Sequence, residues 1–264
     1  GGPTRDWLRG QNQAYNPTIQ PNRWYWLEVR AVMNTPGVSD GIVQVWLDDQ
    51  LILSYTDTFY RFAGQTGGWE TFMHSATYGG NGGTTKTRTD YLWFDLTTLS
   101  TTRIGMPGNP PLPSCTSDAG AVFCEDFEDG NLAGWASGGT PGRISVVSPG
   151  LKGTSRSVQF LAYTDEDPLM SNAYALPMGA GETFWAEWWE RYDPGFQWGY
   201  GCCNESYKSF DLRNDSATGR MLFDYHLGAT RIYFMSDPEA SPPQPGHFFF
   251  EPNVAPPFHL QAGQ

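Results

Sequence analysis

The residues best suited to acid–base chemistry lie on and beside a predicted strand, Thr71–Tyr78. Glu70, His74 and Tyr78 are spaced at i, i+4 and i+8, so an extended chain places them on one face. Histidine and tyrosine can serve as a general base and a general acid. A carboxylate on the substrate could be neutralised by one of three nearby residues, Arg88, Lys86 or Asn81. The alternative is a structural role, because an isolated histidine in a strand is more often structural than catalytic.

Two other pairs satisfy the same chemical requirement, namely Asp224 with His226 and Lys208 with Arg213. Hydrolysis by paired carboxylates has less support. The chain contains no strand with the Glu-x-Asp-x-x-Glu spacing that would place such carboxylates on one face.

A second set of residues has the composition of a sugar-binding face. Alternation along Phe184–Tyr192 places Trp185, Glu187, Trp189 and Arg191 on one side of the strand. Aromatic rings stack on sugar faces and polar groups bind hydroxyls, so we predict glycan binding by these four residues, together with Tyr78 and Asn81. The alternative is that the tryptophans are core residues, since their burial is strongly stabilising.

The composition indicates an acidic all-β protein. The 264 residues carry 16 Lys and Arg against 28 Asp and Glu, a net charge of −12, which argues against nucleic-acid binding. No apolar run is long enough for a membrane-spanning helix. With 31 Gly, 20 Pro and 15% aromatic residues, the chain favours short strands over helices.

The cysteines suggest an oxidising, extracellular location. An even number, with no zinc-type spacing, favours a Cys115–Cys124 disulfide across a short loop, and leaves Cys202 and Cys203 either bonded to each other or cross-paired. Asn204 and Asn214 each begin a glycosylation triplet, which also occurs often by chance. The first residues are Gly-Gly-Pro rather than Met, which indicates a mature fragment or a segment of a longer chain.

A proline-rich stretch, residues 106–114, divides the chain into a front part (1–105) and a back part (115–264). Strand patterns occur on both sides. In the front part, Tyr25, Leu27 and Val29 alternate with a mixed face of Trp24, Trp26, Glu28 and Arg30, and Asp48-Asp49-Gln50 is a predicted hairpin turn. Ten to twelve short strands predict a two-sheet antiparallel sandwich or jelly roll.

The strand sequences resemble those of concanavalin-like jelly rolls, with the polysaccharide-lyase and laminin-G-like branches most similar. In the front part, residues 22–30, 34–37 and 40–48 resemble the late strands of that fold, and residues 78–83 and 90–95 resemble its last loop and closing strand. In the back part, residues 123–130 resemble its opening strand, and residues 152–158 and 182–192 the strands that follow.

The order of these two parts is circularly permuted relative to the family. Half of such a fold would leave strand edges unpaired, so we expect the two parts to complete one structure. Three arrangements satisfy this: a self-closed permutant, one period of a tandem repeat, or neighbouring chains that exchange halves in a head-to-tail filament. The proline-rich junction favours the second and third.

The resemblance also suggests a calcium site. The first and last strands of related jelly rolls are adjacent, which would bring Glu125 and Asp126 near Asp95 as oxygen ligands for Ca²⁺. The alternative is a solvated acidic turn.

The sequence therefore predicts an extracellular structural or glycan-binding module, its partners being polysaccharide and further copies of itself in a repeated assembly. One alternative is a polysaccharide lyase that cleaves an acidic glycan by β-elimination with His74, Tyr78 and Arg88. Its signature triplets are missing, and a net charge of −12 would repel a polyuronate. A monomeric lectin is the third hypothesis.

Overall fold

The computed structural model describes residues 19–58, 60–65, 67–79, 88–105, 115, 120–138, 142–162, 169–172, 183–196, 206–214, 219–226, 231–236 and 248–250. Within them every regular element is a β-strand and all strand pairs in the two sheets are antiparallel. The prediction of an antiparallel all-β fold is confirmed for these residues. No described helix is long and apolar enough to cross a membrane.

Fifteen strands are present among the described residues. They are β1 (Trp24–Val32), β2 (Gly41–Leu47), β3 (Gln50–Thr58), β4 (Thr71–Gly79), β5 (Asp90–Ser100), β6 (Ala121–Glu125), β7 (Trp135–Gly138), β8 (Ile144–Val147), β9 (Ser157–Ala162), β10 (Leu169–Asn172), β11 (Thr183–Tyr192), β12 (Ser206–Asn214), β13 (Gly219–His226), β14 (Arg231–Ser236) and β15 (Phe248–Phe250).

The strands form two sheets, and each sheet combines strands from both sides of the proline-rich stretch. The eight-stranded sheet has the order β3-β2-β1-β11-β5-β9-β8, with β6 also paired to β5. The seven-stranded sheet has the order β15-β14-β13-β12-β4-β10-β7. Thus β11 lies between β1 and β5, and β4 lies between β12 and β10. Within this single chain, the front and back parts pair with each other.

The proline-rich stretch belongs to the connection between two adjacent strands. Ser100 of β5 is the register partner of Ala121 of β6, and the Thr101 N–H donates to the Gly120 carbonyl at 3.2 Å. Residues 101–120 therefore connect an antiparallel hairpin. Cys115 and Cys124 are joined by a disulfide, with their Cα atoms 5.2 Å apart, as the sequence predicts.

Aromatic side chains from the two sheets pack against each other. The Trp188 ring of β11 lies 4.9 Å from the Phe210 ring of β12 and 5.8 Å from the Phe72 ring of β4, and all three residues are buried. Truncating a buried ring of this size typically costs about 3–5 kcal/mol. The inward-facing residues of β1, including Tyr25, Leu27 and Val29, belong to the same core, as the alternation predicts.

The predicted turn after β2 also forms. Asp48 and Asp49 have φ angles of 48° and 65° and connect β2 to β3 as a two-residue hairpin loop. Two successive positive φ angles match the right-handed twist of the flanking strands, and Asp tolerates this conformation better than most residues.

Candidate functional site

A row of partly exposed side chains crosses the outer face of the eight-stranded sheet. Register pairing runs from Trp24 on β1 to Arg191 on β11, Trp93 on β5, Gln159 on β9 and Ser145 on β8. Each of these five residues is partly exposed, whereas Tyr25, Phe94, Val158, Phe160 and Tyr192, which neighbour them along their strands, are buried in the core. We call these five residues the Trp24 row.

The Trp24 row begins with two tryptophans on either side of Arg191 and continues with the polar residues Gln159 and Ser145. Neighbouring strands lie about 4.8 Å apart, so five strands extend the row over about 20 Å. The Tyr91 ring stacks beside Trp93 with ring centres 6.0 Å apart and an interplanar angle of 23°. The arrangement places two indole rings, a guanidinium, an amide and a hydroxyl in one partly exposed row.

Arg191 lies between the two tryptophans of the row and contacts both rings. Its guanidinium carbon lies 4.9 Å from the centre of the Trp24 ring and 4.3 Å from that of Trp93. Burial lowers the pKa of Arg191 from its ordinary value, and the nearby Asp193 carboxylate opposes this effect. The side chain thus remains a cation fixed against two aromatic faces.

A second cluster lies on the same face, farther along strands β1 and β11 from the Trp24 row. It is formed by Trp46, Trp185, Arg103 and Glu28. The Trp46 and Trp185 rings stack with their centres 5.5 Å apart, and the Arg103 guanidinium carbon lies 4.9 Å from the centre of Trp46. Buried Glu28 accepts hydrogen bonds from the Arg103 Nε at 3.1 Å and the Gly105 N–H at 2.8 Å. We call this group the Arg103 cluster. Because the Arg103 guanidinium and the Glu28 carboxylate are bonded to each other, this cluster is less available to a ligand than the Trp24 row.

The four predicted glycan-binding residues of β11 therefore divide into two pairs. Trp189 and Arg191 are partly exposed. Trp185 is only 8% exposed and Glu187 only 4%. The Glu187 carboxylate accepts a hydrogen bond from the indole N–H of Trp26 at 2.9 Å. The predicted alternation along the strand is correct, but Trp185, a member of the Arg103 cluster, and Glu187 are largely buried.

The structure places His74, the predicted base, in the core rather than at a surface. Its side chain is fully buried, its ring stacks on Phe94 with centres 4.1 Å apart, and its Nε2 lies 2.8 Å from the Thr97 hydroxyl. Burial lowers the pKa of His74 to about 3. In this position the imidazole does not reach a polysaccharide at the surface.

The other residues predicted for elimination chemistry are not brought to His74 by any described contact. Arg88 is exposed and forms ion pairs with Asp90, at 2.6 Å, and with Asp193. Tyr78 is the register partner of Tyr207, but its side chain lies outside the described part, as do Asn81 and Lys86 altogether. The lyase hypothesis therefore stays a prediction.

The alternative acid–base pairs lie on neighbouring strands of the other sheet. Lys208 of β12 is the register partner of Asp224 of β13, and Ser206 that of His226. Asn214 is the last residue of β12, opposite Gly219, while Cys202, Cys203 and Asn204 lie outside the described residues.

The acidic residues predicted to bind calcium are engaged in local hydrogen bonds. β6 does pair with β5, as expected, and Asp95 is fully buried. The Asp95 carboxylate accepts hydrogen bonds from the Leu151 N–H at 2.8 Å and the Thr154 hydroxyl at 2.7 Å. Glu125 accepts the Phe127 N–H at 2.8 Å, and Asp126 accepts the Glu128 N–H at 3.2 Å.

In the described ranges, no three or more His, Cys, Asp or Glu side chains form a group that could hold a metal ion, and the calcium site stays a prediction. The acidic stretch behaves as a set of carboxylates that fix the backbone of their own turn.

Comparison with known proteins finds no match, whether among protein families, curated proteins or solved structures. The resemblance to concanavalin-like jelly rolls therefore stays a prediction from the strand sequences, and the case for function depends on the geometry of the outer face.

Sequence reasoning predicted only Arg191 of the Trp24 row as a ligand-binding residue and missed the other four, Trp24, Trp93, Gln159 and Ser145. One signal for Trp93 is present in the sequence: Tyr91, Trp93 and Asp95 alternate with apolar residues in β5. The same kind of alternation placed Trp189 and Arg191 on one face of β11. What could not be read from the sequence is that these two strands are adjacent.

Proposed function

We propose that this chain is an extracellular glycan-binding module that binds an extended sugar chain along the Trp24 row. The observation that carries the proposal is the register of Trp24, Arg191, Trp93, Gln159 and Ser145 across five adjacent strands, all partly exposed.

The chemistry of the row suits a carbohydrate better than a flat protein partner. The hydrophobic faces of sugar rings pack on aromatic side chains, while the amide and hydroxyl of Gln159 and Ser145 can exchange hydrogen bonds with sugar hydroxyls. The regular spacing of the groups, one per strand, fits a linear ligand laid across the strands.

The wider assignment rests on the sequence. The two antiparallel sheets are compatible with a jelly roll, and the Cys115–Cys124 disulfide is consistent with an oxidising, extracellular location. Assembly into a head-to-tail filament by exchange of halves stays a separate prediction, since within this chain the two parts complete the described sheets together.

The test is a glycan array followed by calorimetry on the glycans that bind. Trp93→Ala and Trp24→Ala should each weaken binding about tenfold or more, because each removes one stacking surface. Val38→Ala truncates an exposed apolar side chain in the turn after β1 and serves as the control. The proposal fails if no glycan binds, or if the tryptophan variants bind as tightly as Val38→Ala.

A further inference from the structure

Arg191 differs from the other arginines that lie over aromatic rings in the described residues. Each of the others donates to an acceptor of its own: Arg23 to Asp48, Arg30 to Gln44 and Arg103 to Glu28. Arg191 has the closest ring contact of the four and forms no hydrogen bond or ion pair with any described residue.

The environment of Arg191 leaves its outer nitrogens available. Its Nε is buried without a hydrogen-bond partner, whereas neither Nη atom is both buried and unpaired, and the side chain as a whole is partly exposed. Asp193, the carboxylate that acts on the pKa of Arg191, already forms an ion pair with Arg88. Asp193 therefore interacts with two arginines, and a half-buried Arg191 cation would gain from a further anion.

We infer that Arg191 makes the Trp24 row selective for anionic glycans, by binding a carboxylate or sulfate group carried by the sugar. The inference rests on the proposed function and adds the ligand class. A guanidinium forms two parallel hydrogen bonds to such a group, and Trp24 and Trp93 hold its plane in a fixed orientation. Arg191 is the only cationic residue of the row, so the anionic group of the sugar is bound at one defined position along it.

The overall charge makes the selectivity testable. A chain with a net charge of −12 repels polyanions at long range, so retention of an anionic glycan at physiological salt requires a local contact. Simple ion exchange by the whole protein would not depend on one arginine.

The experiment is an array of neutral, carboxylated and sulfated oligosaccharides at about 0.15 M salt, probed with wild type, Arg191→Gln, Arg191→Lys and Lys152→Gln. Lys152 is exposed and is not one of the five residues of the row, and its variant removes the same single positive charge. We expect wild type to prefer carboxylated or sulfated glycans, and Arg191→Gln to lose about 10- to 100-fold in affinity for them while neutral binding and Lys152→Gln are unchanged.

Equal wild-type binding of neutral and anionic glycans, or equal losses in Arg191→Gln and Lys152→Gln, would overturn the inference but leave the proposed function standing. Absence of binding to every class of glycan would overturn both the inference and the proposed function.

If thermal melting shows that Arg191→Gln is unfolded, the Arg191→Lys variant provides the test. It keeps the charge but lacks the planar fork, so we expect a partial loss confined to anionic glycans, and wild-type affinity would contradict the inference. The carboxylated and sulfated sets separately identify the anion.

Discussion

Arg191 of β11 and Trp93 of β5 are register partners, and the guanidinium carbon of Arg191 lies 4.3 Å from the centre of the Trp93 ring. Cation–π contacts of this kind contribute about 0.5–2 kcal/mol. We predict a coupling of that size in a double-mutant cycle of Trp93→Leu and Arg191→Gln, measured as the free energy of unfolding in urea.

The matched cycle replaces Arg191→Gln with Lys152→Gln. Lys152 is an exposed residue with the same charge, so its effect should add to that of Trp93→Leu within about 0.5 kcal/mol. If the Arg191 cycle is equally additive, the contact seen between the two side chains does not stabilise the protein.

Local alternation was sufficient to predict part of this site. It placed Trp189 and Arg191 on one face of β11, and Trp24 on the mixed face of β1, because side chains of a strand alternate whatever its neighbours are. It could not place Trp93 beside Arg191. That contact joins residues almost a hundred positions apart, and strand order is set by packing of the whole sheet rather than by a local pattern.

The burial of His74 also depends on strand neighbours that a local sequence pattern does not predict. A histidine between Phe72 and Ala76 has no sequence feature that distinguishes a core position from an active site. Its surroundings come from β5 and β11, through Phe94, Thr97 and Trp188. Moreover, β5 contains a register shift near Leu96, which has a φ of 46°, and a strict period-two reading cannot anticipate such an irregularity.

Asp95 gives the stability of the protein a pH dependence. Burial raises the pKa of Asp95 to about 7, despite the hydrogen bonds from Leu151, Thr154 and Leu96 that favour the ionised form. Between about pH 4 and pH 7 the folded state therefore holds a proton that the unfolded chain has released. The contribution of Asp95 to stability is largest at low pH and is lost as the pH rises through 7.

Asp95→Asn should remove this slope, because an amide does not titrate. We expect the difference in unfolding free energy between wild type and Asp95→Asn to change by up to about 1.4 kcal/mol per pH unit across this range. Denaturation at four pH values from 4.5 to 7.5 measures it. Asp57→Asn removes an exposed carboxylate and serves as the control for the substitution itself. Parallel curves for Asp95→Asn and wild type would contradict the assignment.

His74 should change the pH dependence of stability in the direction opposite to Asp95. Burial lowers the pKa of His74 to about 3, so below about pH 6.5 the unfolded chain binds a proton that the folded state excludes. The contribution of His74 to stability is therefore present above pH 6.5 and is lost as the pH falls toward 3. In the Asp95→Asn background, where the opposing slope is absent, unfolding free energy should rise from pH 4.5 to 6.5. His74→Phe in the same background should abolish that rise, and an unchanged rise would show that His74 is not its source.

Cleavage of the proline-rich stretch should leave a folded complex of two fragments. A protease site introduced into residues 106–114 separates the front part from the back part. Yet β11 stays between β1 and β5, and β4 stays between β12 and β10, so neither fragment can leave without exposing its half of the core. The Cys115–Cys124 disulfide lies wholly within the back part and does not link the fragments.

We expect the cut protein to elute from size-exclusion chromatography at the volume of the uncut chain, and its two fragments to separate only in denaturant. Both samples should elute as monomers if one chain completes its own sheets, because no edge strand from a second chain is then required. Fragments that separate in native buffer would show that the pairing of β11 with β1 and β5 does not hold the two parts together. Uncut protein eluting as large assemblies would instead support exchange of halves between neighbouring chains, since a head-to-tail contact of that kind propagates.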